Sequence, residues 1–225
     1  METEENNMSR KFTLWENPYD DGNLYKKKEI EIRDGLTILC GCNGIGKTTL
    51  LNNIKEILED ENIPVISFDN LHDGGNNARS KAGFHGDFGF LGTSLCSSEG
   101  ENIMMNMNKL ASKLGFFVKY GKERQYEKDN TSKERWVLLD AIDSGFSVDN
   151  VIDIKENLLK FMLENNMGAN IHIVVSANEY EMANGEQCFD VFNGEYITFD
   201  NYEEYKQMIL ESKKNKQRRE KENEK

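Results

Sequence analysis

One stretch limits what this chain can fold into more than any other: glycines at 41, 44 and 46, followed by Lys47, Thr48 and Thr49. An apolar run, Leu36–Cys40, precedes it as a buried strand should. After it, Leu50, Leu51, Ile54, Ile57 and Leu58 recur at helical spacing. Strand, glycine-rich turn and helix, in that order, match the phosphate-binding loop Gly41-x-x-x-x-Gly46-Lys47-Thr48 at every fixed position. The chemistry needs these residue types. Glycine lets the backbone curl until its N–H groups face phosphate oxygens, and the start of the new helix adds partial positive charge there. Lys47 reaches the outer phosphates, and the Thr48 hydroxyl ligates Mg²⁺. With Asn43, Ile45 and Thr49, these residues form the candidate nucleotide-binding set.

At 225 residues the chain suits one domain with at most a small subdomain. Its formal net charge is −12; residues 213–225 carry +4, which leaves −16 on residues 1–212. Such a surface repels a phosphate backbone, so nucleic-acid binding by the chain alone is disfavoured. The charged tail, 213–225, reads as a solvated and disordered end, and so do residues 1–10. Four cysteines (Cys40, Cys42, Cys96 and Cys188) show no disulfide-framework spacing, and Cys40-x-Cys42 has no Cys/His pair at zinc-finger distance. Free thiols in a reducing cytoplasm is the simpler reading. No apolar run approaches ~18 residues and no export signal opens the chain, so the protein is expected to be cytoplasmic, away from membranes.

Along the chain, Phe12–Trp15 and Lys28–Arg33 alternate as two strands of a half-exposed antiparallel sheet would, with turn residues at Asn17–Asn23 between them. Pro64–Phe68 is another buried strand. Residues 69–100 then hold seven glycines and few branched apolar residues, which favours a functional loop or a small lobe. A helix is expected from Ser98 to about Leu114. Phe116–Tyr120 reads as a strand or a helix end, and Lys122–Arg135 as a surface loop or an exposed helix. Trp136–Leu139, ending in Asp140, has the composition of a central parallel strand. Ser147 caps a helix to about Asn165, and Ile171–Val175 is a further buried strand. Cys188–Phe192 and Tyr196–Phe199 form a hairpin around a type I′ turn at Asn193-Gly194. Tyr202–Lys213 closes the domain as an amphipathic helix. Strand–helix alternation of this kind predicts an α/β fold whose mostly parallel sheet is flanked by helices.

Asp140, ending its strand, stands where phosphate-loop folds place the carboxylate for Mg²⁺ or its water. The motifs then come in a recognisable order: Gly41–Thr49, Ser97-Ser-Glu-Gly-Glu101, Val137–Asp140, Asp143-Ser-Gly-Phe-Ser147 and Val175-Ser-Ala-Asn178. As a set spanning roughly residues 10–200, they resemble the ABC-class ATPases of the P-loop NTPase superfamily, in the soluble SMC-like and recombination/repair branch. The resemblance implies an ATPase domain over residues 11–212, with a reduced signature lobe at about 69–120, and ATP and Mg²⁺ as cofactors. It implies a nucleotide-dependent homodimer as well. Ser98, Gly100 and Glu101 of one head would contact the phosphate bound to the other, and the loop Asp143–Ser147 would lie along the interface. The family often stacks an upstream aromatic on adenine; of Trp15, Tyr19 and Tyr25, Tyr19 is the candidate. The counterpart of the family's metal-proximal glutamine is Asp69 or Asn70.

Two departures from the family's pattern matter. Ala141 follows the Mg²⁺ aspartate where a water-polarising glutamate is usual, and alanine cannot orient a water. Asn178 aligns with the switch histidine and can hydrogen-bond a γ-phosphate without carrying charge. The candidate catalytic set is therefore Lys47, Asp140, Asp143 and Asn178, with Asp143 or Glu179 replacing the missing base. The expectation is a slow ATPase whose head closure drives a larger assembly with a separate protein partner, a nuclease or DNA-processing subunit, in phage or defence biology. Two alternatives stand beside it. One is an ATP-gated scaffold with negligible hydrolysis; the other is a small-molecule kinase, against which the Ser98–Glu101 motif and the lack of an Arg-rich lid both count.

Overall fold

The computed structural model describes residues 9–14, 24–70, 99–123, 125, 130 and 132–223, with residues 99–107 described as backbone alone. Strands β1 (Ser9–Thr13), β2 (Glu29–Arg33) and β3 (Gly35–Cys40) lead into helix α1 (Lys47–Asp60) and strand β4 (Val65–Asp69). Helix α2 (Glu99–Tyr120) and strand β5 (Glu134–Asp140) come next. Helix α3 begins at Val148–Asp153 and runs on through a π-helical Ile154–Lys160 into Phe161–Glu164. Then come β6 (Asn170–Ser176), α4 (Tyr180–Ala183), β7 (Cys188–Asp190), β8 (Glu195–Ile197) and α5 (Tyr202–Asn223).

Six strands form one sheet in the order β4-β5-β6-β3-β7-β8, parallel throughout except for the antiparallel β7–β8 pair. β1 and β2 make a separate antiparallel pair. This is the mixed α/β architecture the alternation predicts, with a mostly parallel sheet and helices on both faces. Period-two alternation sorts each strand between two cores. Ile38, Val137, Leu139, Ile173 and Val175 face α2, α3 and α5, and Leu39, Trp136, Leu138 and Val174 face α1 and the β1–β2 pair. The central strands read as continuous apolar runs because both of their faces are covered. Among the described residues, no helix is long and apolar enough to cross a membrane.

The structure departs from the sequence reading in three places. β1 starts at Ser9, inside the segment expected to be disordered, and pairs Ser9 through Thr13 with Arg33 through Glu29. Of the two readings of Phe116–Tyr120, the helix end holds: it closes α2, where Leu114, Phe117 and Val118 bury one face in the core. The β7–β8 connection is a four-residue loop, and no type I′ turn forms at Asn193-Gly194. Only Gly194 has positive φ, while the Asp190 carboxylate accepts hydrogen bonds from Phe192 N, Asn193 N and Asn193 Nδ2. Finally, the tail expected to be disordered continues α5 to Asn223. Ion pairs of Lys214 with Glu211 and Lys216 with Glu220, at helical spacing, support that extension.

His172 gives this core a pH dependence. Its ring is 1% exposed and stacks on Trp136 with centroids 4.0 Å apart, and Nδ1 lies 3.1 Å from the Arg33 carbonyl. Burial lowers its pKa from the ordinary value; the Arg33 carbonyl and, more distantly, Glu134 and Asp34 oppose that shift, while Arg10 adds to it. With the folded pKa below the unfolded one, the unfolded chain takes up the proton first as pH falls. Stability should therefore decline once pH drops below about 6.5, by at most ~1.4 kcal/mol per pH unit from this group. Urea unfolding across that range should show a shallower decline in His172→Phe than in the natural chain. Equal slopes would remove His172 from the account.

Candidate functional site

The carboxyl ends of β4, β5, β6 and β3 lie side by side, which is where open α/β sheets bind ligands. That register brings together the loop after β3, the Ser176-Ala177-Asn178 segment after β6, and Asp140 at the end of β5. Gly41–Gly46 wraps ahead of α1, whose N-cap is Gly46 in a left-handed conformation (φ 119°). A side chain at Gly46 would also meet Leu24 Cδ2 at 2.9 Å and Tyr25 Cε1 at 3.0 Å, so the tight turn and the close approach both require glycine. Tyr25 Oη donates to the Gly46 carbonyl at 2.8 Å. Tyr25 is thus bound up with bracing the loop. Among the described residues, the amides of Asn43, Gly44, Gly46 and Lys47 have no backbone acceptor.

Lys47 is 8% exposed, at the first helical position. Its ammonium donates to the Gly41 carbonyl at 2.6 Å and to Asn178 Oδ1 at 3.1 Å. Burial lowers its pKa; the opposing influences are Cys40 and Cys42 first, then Asp143 and Asp140. Among the described residues, no carboxylate forms a salt bridge with it, so its direct partners are neutral oxygens and the nearby carboxylates act only at longer range. An ammonium held this way, beside amides with no backbone acceptor, favours an anion. Thr48 is exposed beside it, and Asp140 is half-buried at the end of β5. One hydroxyl and one carboxylate fit Mg²⁺, which takes few protein ligands and completes its shell with water and phosphate oxygens.

Ala141, after Asp140, adopts a left-handed backbone (φ 50°) that costs a non-glycine residue about 1 kcal/mol. The strained turn carries Asp143 inward. Asp143 is 2% exposed, and its Oδ2 accepts hydrogen bonds from the amides of Asn178 (2.5 Å) and Glu179 (2.6 Å). The carboxylate's partners are therefore in the segment after β6, while the Asp143 carbonyl accepts from Phe146 N across the turn at 3.2 Å. Oδ1 has no hydrogen-bond partner among the described residues. This latch fixes the backbone of Asn178, whose side chain holds Lys47. Asn70 Nδ2 donates to the Ser144 carbonyl at 2.9 Å, and Asp69 stands opposite Asp140 in the β4–β5 register. Asn70 is thus joined to the loop after Asp140. Glu179 is exposed at the start of α4. Ser147 occupies the α3 N-cap position, but its hydroxyl accepts from the Asn150 side chain, not from a helix amide.

Gly100 and Glu101 lie in the first turn of α2, the helix the sequence places from Ser98 onward. Ser98, Tyr19, Trp15 and Cys96 lie outside the described residues. Cys40, Cys42 and Cys188 are free thiols. Among the described residues, no group of three or more His, Cys, Asp or Glu side chains could hold a metal without help from a ligand.

The sequence reading missed the role of α5. Tyr205 Oη donates to the Asn178 carbonyl at 2.8 Å, and Ser212 Oγ accepts from Cys42 N at 3.1 Å. Further along, Lys216 Nζ donates to the Asn43 carbonyl at 3.3 Å. Arg219 donates to the carbonyls of Leu24 (2.7 Å), Gly44 (3.3 Å) and Ile45 (3.4 Å). A cavity of about 310 Å³ lies between loop and helix, lined by Gly41, Asn43, Asn178, Tyr205 and Ile209 among others. The missed signal was spacing: 205, 208, 209, 212, 216 and 219 form one helical stripe, all buried or half-buried.

No protein-family model matches the chain, and no curated protein matches it. Among solved structures, one described as a nucleotide-free ATP-binding cassette from an ABC transporter is similar over 91% of this chain and 95% of its own. The identity is 15% and the TM-score 0.47. A likeness at that level assigns neither family nor activity.

Proposed function

We propose that this chain is an ABC-type ATPase head. It binds ATP with Mg²⁺, hydrolyses it slowly, and uses closure around the nucleotide as a switch in a larger assembly. The observation that supports this most is the buried Lys47 ammonium, held by neutral oxygens beside amides that have no backbone acceptor among the described residues. On this reading Lys47 exchanges Gly41 and Asn178 for outer phosphate oxygens, and Asn178, set free, hydrogen-bonds the γ-phosphate. Thr48 and Asp140 hold Mg²⁺, which offsets phosphate charge when bound. Asp143, with one oxygen given to two amides, is a positioning residue. The exposed Glu179 is then the better candidate to orient water, since Ala141 cannot.

A second reading, an ATP-gated scaffold with negligible hydrolysis, is favoured by Ala141 alone. A radiolabelled ATP assay on the pure chain, with Lys47→Ala as blank, separates the two. Slow turnover that falls in Glu179→Ala and rises in Ala141→Glu is expected, the rise lying within roughly 10²–10⁴-fold, the usual contribution of a positioned base. Turnover indistinguishable from the Lys47→Ala blank supports the scaffold instead.

The proposed closure is a homodimer in which a second copy offers Ser98, Gly100 and Glu101 to the phosphate. A separate protein partner, a nuclease or DNA-processing subunit, would receive the motion. Light scattering with and without MgATP should show mass doubling in nucleotide, lost in Ser98→Arg. A monomer with intact turnover would remove the shared site from the proposal.

A further inference from the structure

The loop carbonyls that α5 grips have a geometric consequence. A trans peptide is planar, and its C=O and N–H point in opposite directions. Drawing the carbonyls of Asn43, Gly44 and Ile45 outward onto Lys216 and Arg219 therefore turns the amides of Gly44, Ile45 and Gly46 the other way, toward the hollow of the loop. Ile45 N is satisfied there by the Cys42 carbonyl at 3.2 Å, which leaves Gly44 and Gly46 to donate to an anion. Ser212 holds Cys42 N from the same side.

Charge acts in the same sense. Residues 1–212 carry −16, a field that would repel a triphosphate, while residues 213–225 carry +4. Folding the tail's residues 213–223 as a helix against the phosphate loop sets their cations beside the one place where an anion must approach. Lys216 and Arg219 are half-buried, so the screening that weakens fully exposed charges acts on them less.

We propose that the basic end of α5 is a built-in part of the nucleotide site. Lys216 and Arg219 position the phosphate loop through its outward carbonyls and supply the positive field that draws in a triphosphate. The inference rests on the reading of this loop as a nucleoside triphosphate site, and it assigns that site an element from the far end of the same chain. Lys216 and Arg219 act through the loop, as positioning residues.

Calorimetric titration of the full chain with MgATP, at low and at physiological salt, tests it. K216Q/R219Q keeps neutral donors and removes both charges; it should bind roughly tenfold more weakly, with a shallower dependence of affinity on salt. K216R/R219K, which restores charge and donors, should recover most of the affinity. Packing alone would not move the salt dependence. If the glutamine pair fails to fold by circular dichroism, Lys216→Gln alone carries the same comparison. Unchanged affinity and salt slope in the folded glutamine variant would overturn the proposal, and tighter binding would too, since the helix would then be masking the site. Should the natural chain bind no MgATP, the nucleotide reading itself fails. Natural-chain binding that is lost in Lys47→Ala but indifferent to Lys216 and Arg219 defeats this inference alone.

Discussion

The interaction on which the rest depends is the one made by the Lys47 ammonium. A cation that is 8% exposed must be compensated, and here a carbonyl and a side-chain amide oxygen do so, with no salt-bridged carboxylate among the described residues. Both acceptors come from fixed points of the fold. Gly41 follows β3 and Asn178 follows β6, and those strands are neighbours in the sheet. The strand order therefore decides which groups meet: β6, which leads into Asn178, lies between β3 and β5.

Two devices hold that arrangement, one on each side of the loop. Asp143 ties the backbone of Asn178 and Glu179 from the interior, at the cost of a left-handed alanine at 141. Hydrogen bonds to a buried carboxylate are among the stronger kind, which is how a locally strained turn is kept. From the exterior, Tyr25 holds the carbonyl of Gly46, and Ser212, Lys216 and Arg219 hold the loop between Cys42 and Ile45. The loop thus has few peptide planes left free to turn. A preorganised set of amides loses little entropy when an anion arrives, so its hydrogen bonds are realised more fully.

Much of this could be read from residue order. The central strands were legible because burial on both faces demands unbroken apolar runs such as Trp136–Leu139 and Ile171–Val175. The glycine-rich turn between β3 and α1 was legible because positive φ at positions 41, 44 and 46 admits few residues. What the sequence hid were partners made of backbone. Nothing in Lys216 or Arg219 announces that their acceptors are the carbonyls of residues 24, 43, 44 and 45, and a run of charges resembles a solvated end. The apolar part of α5 announced itself, but the stripe continues through Ser212 into charged residues that a hydrophobicity pattern does not count. The role of Tyr25 was hidden for a related reason. An aromatic ahead of the loop suggests a base-stacking role, whereas its hydroxyl and ring are used on Gly46. The reach of Asp143 to the segment after β6 was equally invisible, because those partners are amides 35 and 36 residues away.

A crystal structure of the full chain with a non-hydrolysable ATP analogue and Mg²⁺ tests the central claim most directly. The account predicts that the Lys47 ammonium leaves the Gly41 carbonyl and Asn178 for the outer phosphates, while Lys216 and Arg219 keep their grip on the carbonyls of residues 43–45. Lys47 still bonded to Gly41 and Asn178, with the nucleotide seated elsewhere, would contradict it.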